Sequence, residues 1–316
     1  MCQAALLGAL LLVGACASGA SAEPQALRIY STVTEATVNA VIEDFKAANP
    51  DVVVELFRAA TGEVNARIAS ELREGGLQAD VLWLTDPLSI QQYEADGLLR
   101  TWRPSEVNVI PGEYRTETFF GTRVLNMIIV HGNEVADPPA DWNDLAEVEG
   151  GVALPDPAFA GSAFATLAYF ATADGYGLDF YQQLAESGAV QVQAPADVIT
   201  GVAEGVYAAG VTLDQAARAA VADGSPISMV WPASGAVAIY SPIAVVNSST
   251  VGAAEAFVDH VLSLAGQEAI AATGWQPIRS DVAWNESGGS AIAVDWTAAF
   301  DRQEELLADY AAIFGG

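Results

Sequence analysis

The stretch LRIYSTVTEATVNAVIEDFKAANPDVVVEL, Leu27–Leu56, decides the fold. Leu27–Tyr30 is a short apolar strand, and a hydroxyl-rich turn follows at Ser31, Thr32 and Thr34. Val38, Val41, Ile42 and Phe45 then fall at i, i+3, i+4 and i+7, one apolar helical face. Thr32 and Glu35 have the spacing of a capping box, which predicts a helix start there. Asn49-Pro50 stops the helix, and the β-rich run from Val52 is a second strand. Strand, helix and strand in so short a span form a βαβ unit. Its turn lies at the carboxyl end of a strand and the amino end of a helix, where α/β sheets hold small ligands.

The same pattern recurs downstream. Thr61-Gly62-Glu63 opens a helix with Val64, Ile68 and Leu72 on one side, and Val81–Leu84 is a third strand. Asp86 is placed as an N-cap with Pro87 at N1. A second α/β series begins at Gly151–Leu154 and passes through a helix after Gly161-Ser162. It continues through a strand over Val206–Val211, and Thr212 and Gln215 repeat the capping-box spacing. Two separate apolar strands, Thr122–Val130 and Ser241–Asn247, lie between the halves. This reads as two lobes crossed twice by the chain: 26–124 with 246–316, and 125–245, the C-terminal helices returning to the first lobe. Ala253–Leu264 is expected as a helix with Ala256, Val261 and Leu264 inward, and Trp296–Ile313 as a last helix.

Composition bounds the function. Fifty-two per cent of the 316 residues are hydrophobic, enough for two cores. Twelve Lys+Arg against 40 Asp+Glu give a net charge of −28, which argues against nucleic acid, whose phosphates need a basic surface. Residues 1–22 carry no charge, and the apolar run Ala4–Ala15 is shorter than the about 20 residues of a membrane span. It reads as the apolar core of a signal peptide, without the usual basic start. Two cleavage sites compete: Val13-Gly14-Ala15-Cys16, a lipobox that would leave a lipid anchor on Cys16, and Ala20-Ser21-Ala22 before Glu23. The only two cysteines, Cys2 and Cys16, fall in this segment, so the mature chain has no disulfide, thiol nucleophile or thiolate metal ligand.

The strand-to-helix turns collect the candidate ligand-binding residues: Ser31, Thr32, Thr34 and Glu35; Thr61 and Gly62; Asp86; Ser162; Thr212 and Asp214. Helix starts offer unpaired N–H groups, hydroxyls add donors, and several aimed at one cleft would hold a polar or anionic group. Each turn taken alone is also explained by capping. Among the few arginines, Arg123 in the first crossing strand, Arg67 and Arg218 are positioned to meet a phosphate or carboxylate, or equally an acidic side chain of the protein. Trp231, Tyr240 and Trp275 could line a cleft or pack a core. His131 and His260, the only histidines, read as structural, and Asn285–Gly289 reads as a loop. No nucleophile elbow, Walker loop, HExxH or dinucleotide fingerprint occurs, so an enzyme is not expected.

An ordered set of motifs resembles the periplasmic solute-binding proteins of ABC transporters. They are Ile29-Tyr30-Ser31 with Thr34-Glu35, Thr61-Gly62-Glu63, Ala79–Trp83, Gly121-Thr122-Arg123 with Asn126, Val206–Thr212 and Pro277–Asp281. The chain is similar to the branch of ferric-ion, 2-aminoethylphosphonate and sugar-phosphate binders over residues 26–283. The resemblance implies a type II-like two-lobed α/β fold with two hinge-crossing strands, a monomer that closes on a small-molecule solute, and an ABC permease in the inner membrane as partner. It implies a place in the periplasm or at the cell surface, and no cofactor. Ferric binders of this branch carry a tyrosine pair where this chain has Asp214-Gln215, and often a histidine where it has Thr34-Glu35. Those departures favour an anionic or zwitterionic solute, a phosphonate or phosphorylated compound, over iron held by carboxylates.

Overall fold

In a computed structural model the described residues are 26–249, 252–284 and 288–315. The targeting segment with Cys16, and Asn285–Ser287 of the expected loop, lie outside them.

The opening βαβ unit is β1 (Leu27–Ser31), α1 (Glu35–Ala48) and β2 (Val54–Arg58). Thr37, Val38, Val41, Ile42 and Phe45 make the buried face of α1. α2 (Thr61–Glu74), β3 (Val81–Trp83) and α3 (Pro87–Ala95) complete the first layer, with β2-β1-β3 all parallel. A segment with two 3-10 turns leads to β4 (Phe119–Gly132), buried along nearly its whole length. The second layer contains β5 (Val152–Pro155), α4 (Gly161–Thr172), α5 (Gly177–Glu186), β6 (Val190–Val192), α6 (Pro195–Ala203), β7 (Ala209–Leu213), α7 (Asp214–Ala222) and β8 (Ile227–Val230). β9 (Ala236–Val245) then runs back to the first layer. After it come α8 (Ala253–Leu262), α9 (Leu264–Ala272), β10 (Gln276–Pro277), β11 (Ala291–Ala293), α10 (Trp296–Phe300) and α11 (Gln303–Phe314).

The principal strand order is β2-β1-β3-β9-β4-β7-β5-β6. The two lobes therefore meet along β4 and β9, which pair antiparallel from Phe119↔Ala244 to Met127↔Val237. At its start this pair is joined to β3 through β9; at its end β4 turns to β7 and β8. These are the two crossing strands expected from the sequence, each longer than its apolar run. The register slips between Gly121 and Arg123. Such a bulge kinks a strand and re-aims the side chain beside it. Thr122 pins it: its hydroxyl donates to Ser241 O at 2.9 Å and accepts from Trp83 Nε1 at 2.9 Å.

Four local expectations are corrected. α1 starts at Glu35 behind Thr34, and no capping box joins Thr32 to Glu35. Thr32 Oγ1 bonds Thr85 Oγ1 at 2.8 Å instead, a partner from the adjacent strand–helix turn. Thr212 is likewise not a cap: it lies within β7 and donates to Pro195 O at 2.7 Å, while Gln215 reaches Thr273 O at 3.1 Å. The 253–264 helix is broken at Ser263, which caps α9, and the buried set is Ala254, Phe257, Val258, Val261 and Leu262, with Ala256 and Leu264 outward. The C-terminal helices do not all return to the first lobe. α8 and α9 pack on α1, but α11 lies on α5 and α4, and α10 bridges α3 and α4. Tyr310 explains it: only 3% exposed, its ring meets Tyr181 edge-on at 5.0 Å within an aromatic cluster around Phe170 and Phe180.

Candidate functional site

Two groups of the residues singled out by the sequence come together between the lobes. The first surrounds Arg123. The bulge turns its side chain toward the β1–α1 turn, where Nη1 donates to Thr34 Oγ1 at 3.4 Å. Thr34 Oγ1 is also bonded to Thr37 Oγ1 at 2.9 Å, and Thr37 Oγ1 to Thr273 Oγ1 at 2.9 Å. The guanidinium lies over the Trp275 ring, 4.2 Å from its centroid, a cation–π contact on a buried indole. Arg123 is 1% exposed, and its Nε is fully buried with no hydrogen-bond partner. Burial, and then the neighbouring Arg58 cation, push its pKa down to about 9, so it stays charged at neutral pH. Among the described residues no carboxylate pairs with it. In a chain with 40 acidic residues, a buried cation left without one is the strongest polar signal in the fold.

The second group is the seam between the N-termini of α2, α3 and α4. Asp86 caps α3 as expected, accepting from Ser89 N at 2.8 Å and Ser89 Oγ at 3.1 Å. It is fully buried, and desolvation raises its carboxyl above the usual range despite those bonds. A Cβ on Gly161 would lie 2.2 Å from Asp86 Oδ2 and 3.2 Å from Thr61 Oγ1, and one on Gly62 3.5 Å from Ala158 O. First-lobe and second-lobe helix starts are thus in direct contact at Gly161 and Asp86. Ser162 is buried in the first turn of α4 beside this seam.

Asp214 opens α7 and is 3% exposed. Its Oδ1 accepts from Asn126 N at 3.4 Å, and its Oδ2 pairs with Arg218. Arg218 also donates to Gly274 O at 2.7 Å, so α7 is tied to the turn that carries Trp275. Other residues are taken up within the fold. Ser31 donates to Trp83 O at 2.8 Å, Thr212 serves Pro195, and Arg67 stacks over Tyr30 and Phe57 while pairing with Glu71. Glu35 is exposed at the head of α1. Among the described residues no three His, Cys, Asp or Glu side chains converge on a possible metal position. A hollow of about 1040 Å³ lined from Gly132–Gly150 and 202–208 touches none of the candidate ligand-binding residues.

The sequence reading missed Arg58. It closes β2, and its Nε donates to Val33 O at 3.0 Å, one residue from the Arg123–Thr34 contact. The parallel register Ser31↔Arg58 carries it there, and strand register leaves no local mark in a sequence. Trp275 is resolved from two alternatives: it is core to α9 and β10 and at the same time the platform under Arg123.

The family model for bacterial extracellular solute-binding proteins matches residues 27–276. The chain belongs to that family. Among solved structures, this solute-binding protein is similar to iron-bound HitA from Pseudomonas aeruginosa, with 18% identity, a TM-score of 0.80 and coverage of 92% of this chain and 99% of that one. It is similar to the periplasmic binding protein AfuA from Actinobacillus pleuropneumoniae with fructose-6-phosphate bound, with 20% identity, a TM-score of 0.80 and coverage of 92% and 98%. The ferric binding protein from Campylobacter jejuni superposes with a TM-score of 0.79 at 19% identity, over 91% of this chain and 99% of that one. At these identities the likeness establishes the two-lobed fold. No curated protein sequence matches the chain.

Proposed function

We propose that this chain is the extracytoplasmic receptor of an ABC importer, capturing a small anionic or zwitterionic solute, a phosphonate or phosphorylated compound before others, by closing its lobes. The observation that carries this reading is Arg123, a buried, charged guanidinium with an unpartnered Nε, held on Trp275 beside the start of α1. In α1 the N–H groups of Thr37 and Val38 turn back to Thr34 O, while those of Glu35 and Ala36 precede any helical acceptor. The seam at Asp86 and Gly161 is the surface on which closure is completed. The first lobe is taken as 26–124 with 246–302, and the second as 125–245 with α11 riding on it. Delivery to a membrane permease follows the role of the family. A monomer in the periplasm, or at the surface through a lipid on Cys16, with no resident cofactor and no catalytic step, completes the assignment.

The zwitterion variant asks Asp214 and Glu35 to meet an amino group. Asp214 is already engaged by Arg218, so the anionic end of the solute is the better supported half. The competing reading is ferric iron on Glu35, Asp86 and Asp214. It draws on the fold likeness to HitA, whereas Asp86 and Asp214 are each satisfied within the protein. Mass spectrometry of the solute released from gently purified protein, followed by calorimetry with it, tests the assignment. A phosphorus-containing anion whose binding is lost in Arg123→Gln is the expected result. Iron, released with a visible absorption band, would replace this reading by the other.

A further inference from the structure

Two arginines, not one, converge on the β1–α1 turn. Arg58 Nε is anchored on Val33 O at 3.0 Å, and Arg123 Nη1 on Thr34 Oγ1 at 3.4 Å, consecutive residues of one turn. They reach it from different strands, Arg58 from the end of β2 and Arg123 from the bulge of β4. Each uses one N–H group on the turn, and among the described residues neither has a carboxylate partner. The two cations are near enough that Arg58 disfavours the charge on Arg123.

Like charges held together in an acidic protein, at the start of a 14-residue helix, lower their energy most when a doubly charged anion sits between them. A carboxylate neutralises one guanidinium and leaves the other repelled. A phosphoryl or phosphonyl group in its dianionic form neutralises both and has three oxygens for two guanidinium forks and the helix N–H groups. The two positions differ in kind. Arg123 is buried and rigid on Trp275, whereas Arg58 is exposed on the rim of the turn. Arg123 is therefore the obligatory anion contact, and Arg58 the residue that reads the second charge.

We infer that Arg58 is the specificity residue of the site, selecting dianionic phosphoryl or phosphonyl groups over carboxylates and monoanions by completing a two-arginine clamp with Arg123. This rests on the anion-receptor reading above and adds to it the charge state of the solute.

The test is calorimetry on the intact protein with glycerol phosphate, ethyl phosphate and propionate. Each is titrated at pH 7.5 and at pH 5, where a phosphate monoester with its second pKa near 6 has become a monoanion. For the native chain glycerol phosphate and ethyl phosphate bind at least tenfold more tightly than propionate, and both phosphates weaken about tenfold on acidification. Arg58→Gln loses about tenfold for the phosphoryl probes at pH 7.5, changes little at pH 5, and binds propionate as before. Arg58→Lys, which keeps the charge, restores most of the loss. If Arg123→Gln abolishes binding while Arg58→Gln leaves both the preference and its pH dependence intact, the clamp is wrong and the receptor reading stands. If none of the three probes binds the native chain, both fall. A uniform loss for every probe in Arg58→Gln, with a lowered melting temperature, would make Arg58 structural only and overturn the inference.

Discussion

The guanidinium of Arg123 lies face-on to Trp275, its carbon 4.2 Å from the ring centroid, and both side chains are buried. The indole supports a cation that its own protein does not neutralise. Trp275→Ala removes that support and leaves a large cavity. The expected loss is about 3–5 kcal/mol of stability, read as a fall in melting temperature, together with at least tenfold weaker anion binding. Trp275→Phe keeps a ring and should recover much of both.

A Cβ on Gly161 would clash with Asp86 Oδ2 and press tightly on Thr61 Oγ1. Gly161→Ala sits at the head of α4, where alanine suits the helix, so the fold should survive. Closure should not. X-ray scattering is expected to give the same radius of gyration with and without solute, larger than that of the native chain with solute, and affinity should fall at least tenfold.

The buried carboxyl of Asp86 titrates above its unfolded range because desolvation outweighs its bonds to Ser89. Between the unfolded and the folded pKa the native state holds more protons, so this group's contribution falls as pH rises through that window. Asp86→Asn keeps an oxygen for Ser89 N and removes the charge. Its melting temperature should exceed that of the native chain at pH 7–8, and the gain should shrink as pH drops toward 4. A gain that grew on acidification would contradict the burial account.

Asp214→Asn tests a residue with two duties. Its carboxylate holds Arg218 and accepts from Asn126 N in the crossing strand. Losing the charge on this largely buried partner should lower stability by about 1–3 kcal/mol in chemical denaturation and also weaken solute binding. Unchanged stability with weakened binding would make Asp214 a ligand contact alone.

Tyr310 fastens α11 to the second lobe through Tyr181. Tyr310→Ala should lower the melting temperature, by about 3–5 kcal/mol of stability, without touching the residues around Arg123.

What the sequence disclosed depended on range. Asp86-Pro87 announced its cap because capping is settled within a few residues. The crossing strands were legible as continuous apolar runs, buried on both faces. Arg123 was noticed because cations are scarce in this chain. Its lack of a carboxylate and its indole were invisible, since they depend on the bulge in β4 and on β10 pairing beside it. Thr32-x-x-Glu35 and Thr212-x-x-Gln215 had the right spacing for boxes, yet tertiary partners, Thr85 and Pro195, took the hydroxyls. The fate of α11 was equally hidden, because an apolar helix face does not say which lobe it will cover.

The position of α11 orders events in time. The strands and helices of the second lobe lie mostly within residues 125–245, yet the helix that covers Phe180 and Tyr181 is Gln303–Phe314. That lobe is sealed only once Gln303–Phe314 has joined it. The first lobe likewise waits for β9, α8 and α9. Contacts so distant in sequence close slowly. A chain built this way completes neither lobe from the residues of its first half alone.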